Sequence, residues 1–244
     1  MATAVARRGY IQDTYFGIEF DDIATKATHL TIDSGPTLAT TLGDFGIKLS
    51  VDQIEMLDRY RRALWRWNEQ LNLTRHTTLE KFVGRDVVDS LQLAAQIAQD
   101  QRVLDVGTGG GVPGLILCIC RPDLNVSVCD STQKKAKVVN AIVEELQLPV
   151  TVHACRAEEV LQQQSFDTLV ARGVAAMSKM LYWLSSHWDS FDRLLLVKGQ
   201  RWVEERGEAR HRGLMNEIDL RKVASYETRG NDAESVILSL ERRQ

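Results

Sequence analysis

No stretch of this chain approaches the ~20 consecutive apolar residues that a membrane-spanning helix needs, so no such helix is expected. Met1 to Tyr10 carries Arg7 and Arg8 but no apolar signal core, and Asp13, Glu19, Asp21 and Asp22 follow closely. Neither a secretory signal nor a transit peptide fits that pattern, and a cytoplasmic protein is expected. Cysteine is sparse, at four residues, and no C-x-x-C pair occurs. Cys118, Cys120, Cys129 and Cys155 all sit in apolar strand or helix patterns, as small buried hydrophobes of a reducing compartment do. The five histidines show no zinc spacing, so no metal is expected. Internal repeats and low-complexity tracts are absent as well, which excludes solenoid and fibrous classes.

What is present suits an ordinary globular protein. The 244 residues are 44% hydrophobic and 26% charged. At that length roughly 70–75% of the unfolded surface can be buried, and no disulfide or metal staple is needed. The net charge of -3 does not announce a nucleic-acid binder. It does not exclude one, because a local basic face coexists with an acidic whole in many proteins.

The chain is organised around Val103 to Gly114, VLDVGTGGGVPG. Val103 to Val106 suit a buried strand that runs into a loop containing Gly107, Gly109, Gly110 and Gly111. Leu115-Ile116-Leu117 then continue as an apolar helix. Strand, glycine turn and helix start make a ready site for a nucleotide-like ligand. The glycines have two registers. Gly109, Gly111 and Gly114 make G-x-G-x-x-G, the dinucleotide fingerprint. Asp105, Gly107, Gly109 and Gly111 make D-x-G-x-G-x-G, which looks like the first motif of S-adenosylmethionine (SAM) methyltransferases. The first dinucleotide glycine should follow the strand directly. Counted from Gly107, the third falls on Val112, and the fingerprint fails. Asp105 also suits a cofactor with a sulfonium and an ammonium better than a pyrophosphate. A glycine loop alone is also a mere tight turn, so its neighbours carry the reading.

Residues 1–48 have no sustained period and read as a poorly ordered extension with one short helix. Residues 49–99 form a helical segment. Ser50 with Gln53 is a capping box, and Ile54, Leu57, Tyr60, Leu64, Trp67 and Leu71 stripe a helix from Val51 to Leu73. Arg59, Arg62 and Arg66, with Arg61 beside them, make a second row. It is either a solvated face or a phosphate-contacting one. A second helix is expected from Thr78 to Gln99, with Arg85 and Asp89 paired four apart.

Residues 100–244 alternate strand and helix patterns, which predicts an α/β domain with a mostly parallel, doubly wound sheet. Strands are expected at Asn125–Cys129, Val150–Ala154, Phe166–Ala171 and Leu194–Val197, with a closing antiparallel hairpin around a Gly230-Asn231 turn. Asp130 ends the second strand, where an acidic residue suits ribose hydroxyls. Ala157 and Glu158 follow the third strand and suit an adenine amino group. Alternatively, Glu158 and Glu159 simply favour a helix N-terminus. Arg172 ends the fourth strand. It is either a fork for a cofactor carboxylate or substrate phosphate, or half of an internal salt bridge. Met177, Met180 and Trp183 read as core.

In order and spacing these stretches resemble the glucose-inhibited division protein B family, the bacterial small-subunit ribosomal RNA guanine-N7 methyltransferases. The match runs from roughly Val51 to Arg242. Trp67-Asn68, Asn72-Leu73-Thr74, Arg85 with Asp89-Ser90-Leu91, Leu104 to Gly114, Asp130-Ser131, Arg156-Ala157-Glu158, Ala171-Arg172 and Lys198-Gly199 carry it. The family usually has His where this chain has Asp86. The resemblance implies a Rossmann-like SAM methyltransferase fold with an N-terminal helical extension. It implies cofactor contacts at Gly107, Val112, Ala157, Glu158 and Arg172, to which the glycine-loop motif adds Gly109 and Gly111 and the second strand's end adds Asp130. It also implies small-subunit rRNA, free or in a ribosomal particle, as substrate, and a chain acting as a monomer.

An N7 acceptor fits what the chain lacks. Methylating an exocyclic amine or hydroxyl means losing a proton, yet no N-P-P-Y cradle follows strand four, where Ala171-Arg172-Gly173-Val174 stands. No general base is therefore named. The competing readings are a nicotinamide-dependent oxidoreductase on the same fold class and a non-catalytic RNA-binding or assembly protein.

Overall fold

The computed structural model describes residues 35–228 and 231–243. Four elements precede the sheet and share its core: α1 (Leu38–Asp44), α2 (Val51–Asn68), α3 (Leu79–Lys81) and α4 (Val88–Ala94). A π-helical segment, Phe82–Val87, joins the last two. The short helix within residues 1–48 is thus α1, whose Leu38 and Leu42 are buried. Residues 1–34, Arg229 and the Gly230 half of the expected Gly230-Asn231 turn lie outside the described residues.

Two predicted helices end early, each for a visible reason. α2 stops at Asn68 rather than Leu73, because Asn68 Oδ1 accepts the N–H groups of Leu73 and Thr74 at 2.8 and 2.9 Å. That side chain turns the backbone out of the helix. The second helix stops at Ala94 rather than Gln99. The buried Arg121 guanidinium donates to the carbonyls of Ala94, Ile97 and Ala98, and so satisfies backbone groups that a longer helix would bond internally.

The α/β part then alternates as the sequence predicts: β1 (Arg102–Val106), α5 (Gly114–Cys120), β2 (Asn125–Cys129), α6 (Gln133–Leu146), β3 (Thr151–His153), α7 (Ala157–Leu161), β4 (Phe166–Arg172), α8 (Met177–Leu184), β5 (Phe191–Lys198), α9 (Trp202–His211), β6 (Ile218–Thr228) and β7 (Asn231–Arg242). Among the described residues one sheet holds seven strands in the order β3-β2-β1-β4-β5-β7-β6. β1 to β5 pair in parallel, and β7 pairs antiparallel with both β5 and β6. The late strands are longer than predicted, because β7 is laddered on both sides.

Strand alternation sorts the core onto two faces. Val170, Leu195 and Val197 pack with α2, α4, α5 and α6. Their neighbours Leu169, Ala171, Leu194 and Leu196 pack with α7, α8 and α9. The strand order reverses direction between β1 and β4, so a crevice opens beyond their carboxyl ends. The glycine loop and Arg172 both sit at that end.

Candidate active site

The loop after β1 is held from within. Asp105 is fully buried, and its Oδ2 accepts the Thr108 hydroxyl at 2.5 Å and the Gly114 N–H at 2.8 Å. Burial pushes this carboxyl up to about 6, against the pull of those two donors. Its other oxygen, Oδ1, is buried without a partner. Asp105 therefore clamps the two ends of the loop together, and it lines neither of the two cavities described below. From the other side, the buried Tyr60 of α2 donates to the Gly110 carbonyl at 2.9 Å. Gly107 and Thr108 donate to the Cys129 carbonyl at the end of β2.

The first cavity lies over this loop, and its walls are apolar with a few polar groups. Gly107, at φ +69°, leaves no space for a side chain: a Cβ there would stand 2.9 Å from both methyls of Val174. Val106, Cys129, Cys155, Ala157, Met180, Trp183 and Leu184 supply an apolar lining, while Asp130, Ser131, Arg156 and Glu158 supply polar groups. Asp130 is oriented by its neighbours. Its Oδ2 accepts from Gly109 N–H at 3.0 Å and its Oδ1 from Thr132 N–H at 2.7 Å. A carboxylate has about four lone-pair sites, so acceptor capacity remains for a hydroxyl. Burial pushes the Cys129 thiol up to about 12 and raises that of Cys155, so both are neutral thiols rather than nucleophiles.

Of the residues expected to contact a cofactor, Gly107, Asp130, Ala157 and Glu158 line this cavity. Gly109, Gly111 and Val112 do not. Gly109 orients Asp130, Gly111 abuts Leu115 and Tyr60, and Val112 is packed into the core. Met180 and Trp183, read from sequence as core, do pack with the core, and both also line this cavity. Methionine and tryptophan at helical spacing look alike in both roles, so the sequence held no signal for the second one.

Arg172 belongs to a second cavity beside the first, and Val174 lines both. Its volume is about 470 Å³. Arg172 Nη2 pairs with Asp86 Oδ1, and Nη1 donates to Asp89 Oδ2 at 3.1 Å and to the Arg85 carbonyl at 3.0 Å. Asp86 Oδ1 also lies 2.7 Å from His76 Nδ1, and Tyr226 of β6 donates to Asp89 Oδ1 at 2.7 Å. The expected Arg85–Asp89 pair is present at 3.9 Å, but with Asp89 buried rather than solvated. Lys198 Nζ, at the end of β5, donates to the Ala175 carbonyl and to Glu205 Oε2, both at 2.7 Å. The second cavity is thus a mixed cationic and anionic chamber, lined by Arg85, Arg172, Lys198, Asp89, Glu205 and His76 among others. Glu205 was missed in the sequence. The only hint was its place a few residues after Lys198-Gly199, in a helix read as a charged surface.

The row of α2 arginines is largely paired. Arg61 and Arg62 share Asp58, and Arg66 pairs with Glu145. That favours the solvated reading of this face. Among the described residues no helix is long and apolar enough to cross a membrane, and no group of His, Cys, Asp and Glu is placed to hold a metal ion.

Comparison with known proteins agrees with this arrangement. The family model described as GidB, rRNA small subunit methyltransferase G, matches residues 53–234. The ribosomal RNA small subunit methyltransferase G of Rhodopirellula baltica is 49% identical over 187 residues, covering 77% of this chain and 81% of that protein. The Methylobacillus flagellatus protein of the same name is 33% identical, covering 85% of this chain and 98% of the relative. Among solved structures, a mutant of MtNAS in complex with S-adenosylmethionine superposes with a TM-score of 0.52 at 12% identity, covering 79% of this chain and 77% of that one. TrmK of M. capricolum, in complex with S-adenosyl-homocysteine, gives 0.50 at 13% identity, covering 64% and 68%. These two share the fold. The family match and these relatives carry the conclusion that the chain belongs to the GidB family of small-subunit rRNA methyltransferases.

Proposed function

We propose that this chain transfers a methyl group from SAM to the N7 of a guanine in small-subunit rRNA. The observation that carries the reading is the pairing of two cavities across Val174. One is apolar with an oriented carboxylate, and the other is charged, at the switch point of a GidB-family fold. Met180, Trp183, Leu184 and Ala157 would hold the adenine of SAM, Asp130 its ribose, and Glu158 its amino group. Gly107 lets the cofactor lie against the backbone. Gly109, Gly111 and Val112 shape the loop, and Arg172 orders the wall between cofactor and acceptor. When bound, SAM supplies a methyl carbon made electrophilic by its sulfonium. Guanine N7 offers a lone pair in the neutral base, so no side chain has to remove a proton. The chain's task is to align the acceptor and exclude water, and positioning alone supplies ~7–11 kcal/mol of barrier reduction. In this reading the helical segment 49–99 braces the loop through Tyr60, and the enzyme works as a cytoplasmic monomer.

The test is transfer of labelled methyl from SAM to small-subunit rRNA lacking the modification, followed by N7-methylguanine-specific strand scission. One labelled guanine is the expected result. Label on another atom or base would keep the methyltransferase and sink the N7 assignment. No transfer to rRNA or to intact subunits, with SAM bound, would overturn the substrate.

A further inference from the structure

The reaction above gives the second cavity an acceptor base but no residue that reads it. The cavity's volume of about 470 Å³ falls in the ~300–1,000 Å³ range of small-molecule sites. A base in a structured RNA reaches such a chamber only by leaving its stack, and it is then read along its Watson–Crick edge. For guanine that edge presents two donors, N1–H and the N2 amino group. A purine entering with N7 toward the Val174 wall turns those donors away from the cofactor cavity, into the remaining lining. They need an acceptor there that is not already saturated.

Two carboxylates line the chamber. Asp89 is 1% exposed and already faces three donors, Tyr226 on Oδ1 and both Arg172 and Arg85 on Oδ2. Glu205 differs. Its Oε2 takes both Lys198 Nζ and the Met177 N–H, each at 2.7 Å, while Oε1 accepts no hydrogen bond among the described residues. The two bonds on one oxygen fix the carboxylate between β5 and the start of α8, and they leave the other oxygen available with a defined direction. The geometry points to Glu205 as the residue that recognises the acceptor guanine, accepting its Watson–Crick donors on Oε1. The assignment rests on the guanine-N7 reading. It also suits the chemistry: methylation at N7 leaves the purine positively charged, so a carboxylate on its donor edge holds the methylated form more tightly than the starting base.

The experiment compares substrate rRNA carrying guanosine with the same RNA carrying inosine at the target position. Inosine keeps N7 and N1–H and lacks only the N2 amino group. Losing one hydrogen bond to a charged acceptor is expected to lower kcat/KM by about ten- to a hundredfold with the unaltered enzyme. Glu205→Gln is the matched variant. Its carbonyl oxygen stays on the Met177 N–H, which puts an amide N–H₂ where Oε1 stood and opposes guanine's donors. E205Q is expected to bind SAM as the parent does, to methylate guanosine RNA at least tenfold more slowly, and to shrink the guanosine-to-inosine ratio to within about threefold. If E205Q fails to fold, E205D keeps the charge but withdraws it by one methylene, and its ratio must shrink likewise. Equal rates on both RNAs with the parent enzyme, or an unchanged ratio in a variant that binds SAM, would overturn the assignment while the methyltransferase reading stands. No transfer to either RNA would instead remove the guanine-N7 reading and this assignment with it.

Discussion

At the scale of single residues, two charged side chains organise the site: Asp105 is buried, and Arg172 is half-buried. Burial raises the Asp105 carboxyl from 3.8 to about 6 and outweighs its two donors. Below the ordinary carboxylate range it is protonated in both folded and unfolded chain. Between that range and about 6 the folded state holds a proton that the unfolded state has lost. Stability is therefore lost as pH rises through this window, by about 3 kcal/mol from this group. Asp105→Asn is expected to flatten that slope, which melting curves taken from pH 4 to pH 7 will read. Arg172 stands in the opposite position, as the cation that neutralises Asp86 and Asp89, 0% and 1% exposed. Arg172→Ala strands two buried carboxylates and is expected to cost about 3–5 kcal/mol in urea denaturation, a loss that a surface arginine would not produce. The sequence offered both readings of Arg172, ligand fork and internal bridge. It could not choose, because its partners lie 83 and 86 positions away. Asp86 stood out in sequence as the departure from the family's usual His. The structure shows a carboxylate joining His76 to Arg172, a relation that no local pattern encodes.

At the scale of elements, local signals were legible and their limits follow from tertiary contacts. The Ser50–Gln53 box forms as read, with Ser50 Oγ accepting from Gln53 N–H and Gln53 Oε1 from Ser50 N–H. Gln53 also donates to the Cys120 carbonyl, so the cap ties α2 to the end of α5. Ser50→Ala is expected to lower stability by ~1 kcal/mol, measured by chemical denaturation. The strands of the parallel sheet were readable because their runs are short, apolar and bounded. The π segment at Phe82–Val87 was not. Its residues keep the periodicity of an ordinary helix, and only the backbone shows the extra residue that brings Asp86 and Asp89 to Arg172. Such wide turns recur at functional sites, and here the turn underlies the second cavity.

At the scale of the whole molecule, an acidic net charge of -3 coexists with an RNA substrate because charge is arranged locally. The arginine face of α2 is matched by Asp58 and Glu145; Arg172 and Lys198 beside the crevice have carboxylate partners too, but they line a cavity. Replacing Arg62 and Arg66 together by Gln is expected to change the slope of log Kd against log salt for rRNA by less than about one, where two phosphate contacts would change it by about two. A filter-binding titration across salt concentrations decides it. Family membership likewise removes the oxidoreductase alternative, and the packed Val112, where a third dinucleotide glycine would stand, gives the physical reason.

The order β5-β7-β6 has a consequence for how the protein is made. Residues 231–242 are synthesised after every other described strand, yet they fill an interior position of the sheet. Until they emerge from the ribosome, β5 presents an open edge and β6 has no neighbour, so the nascent chain carries an exposed template for strand pairing. An enzyme that methylates ribosomal RNA thus acquires a finished sheet only once the last of its described strands has been made.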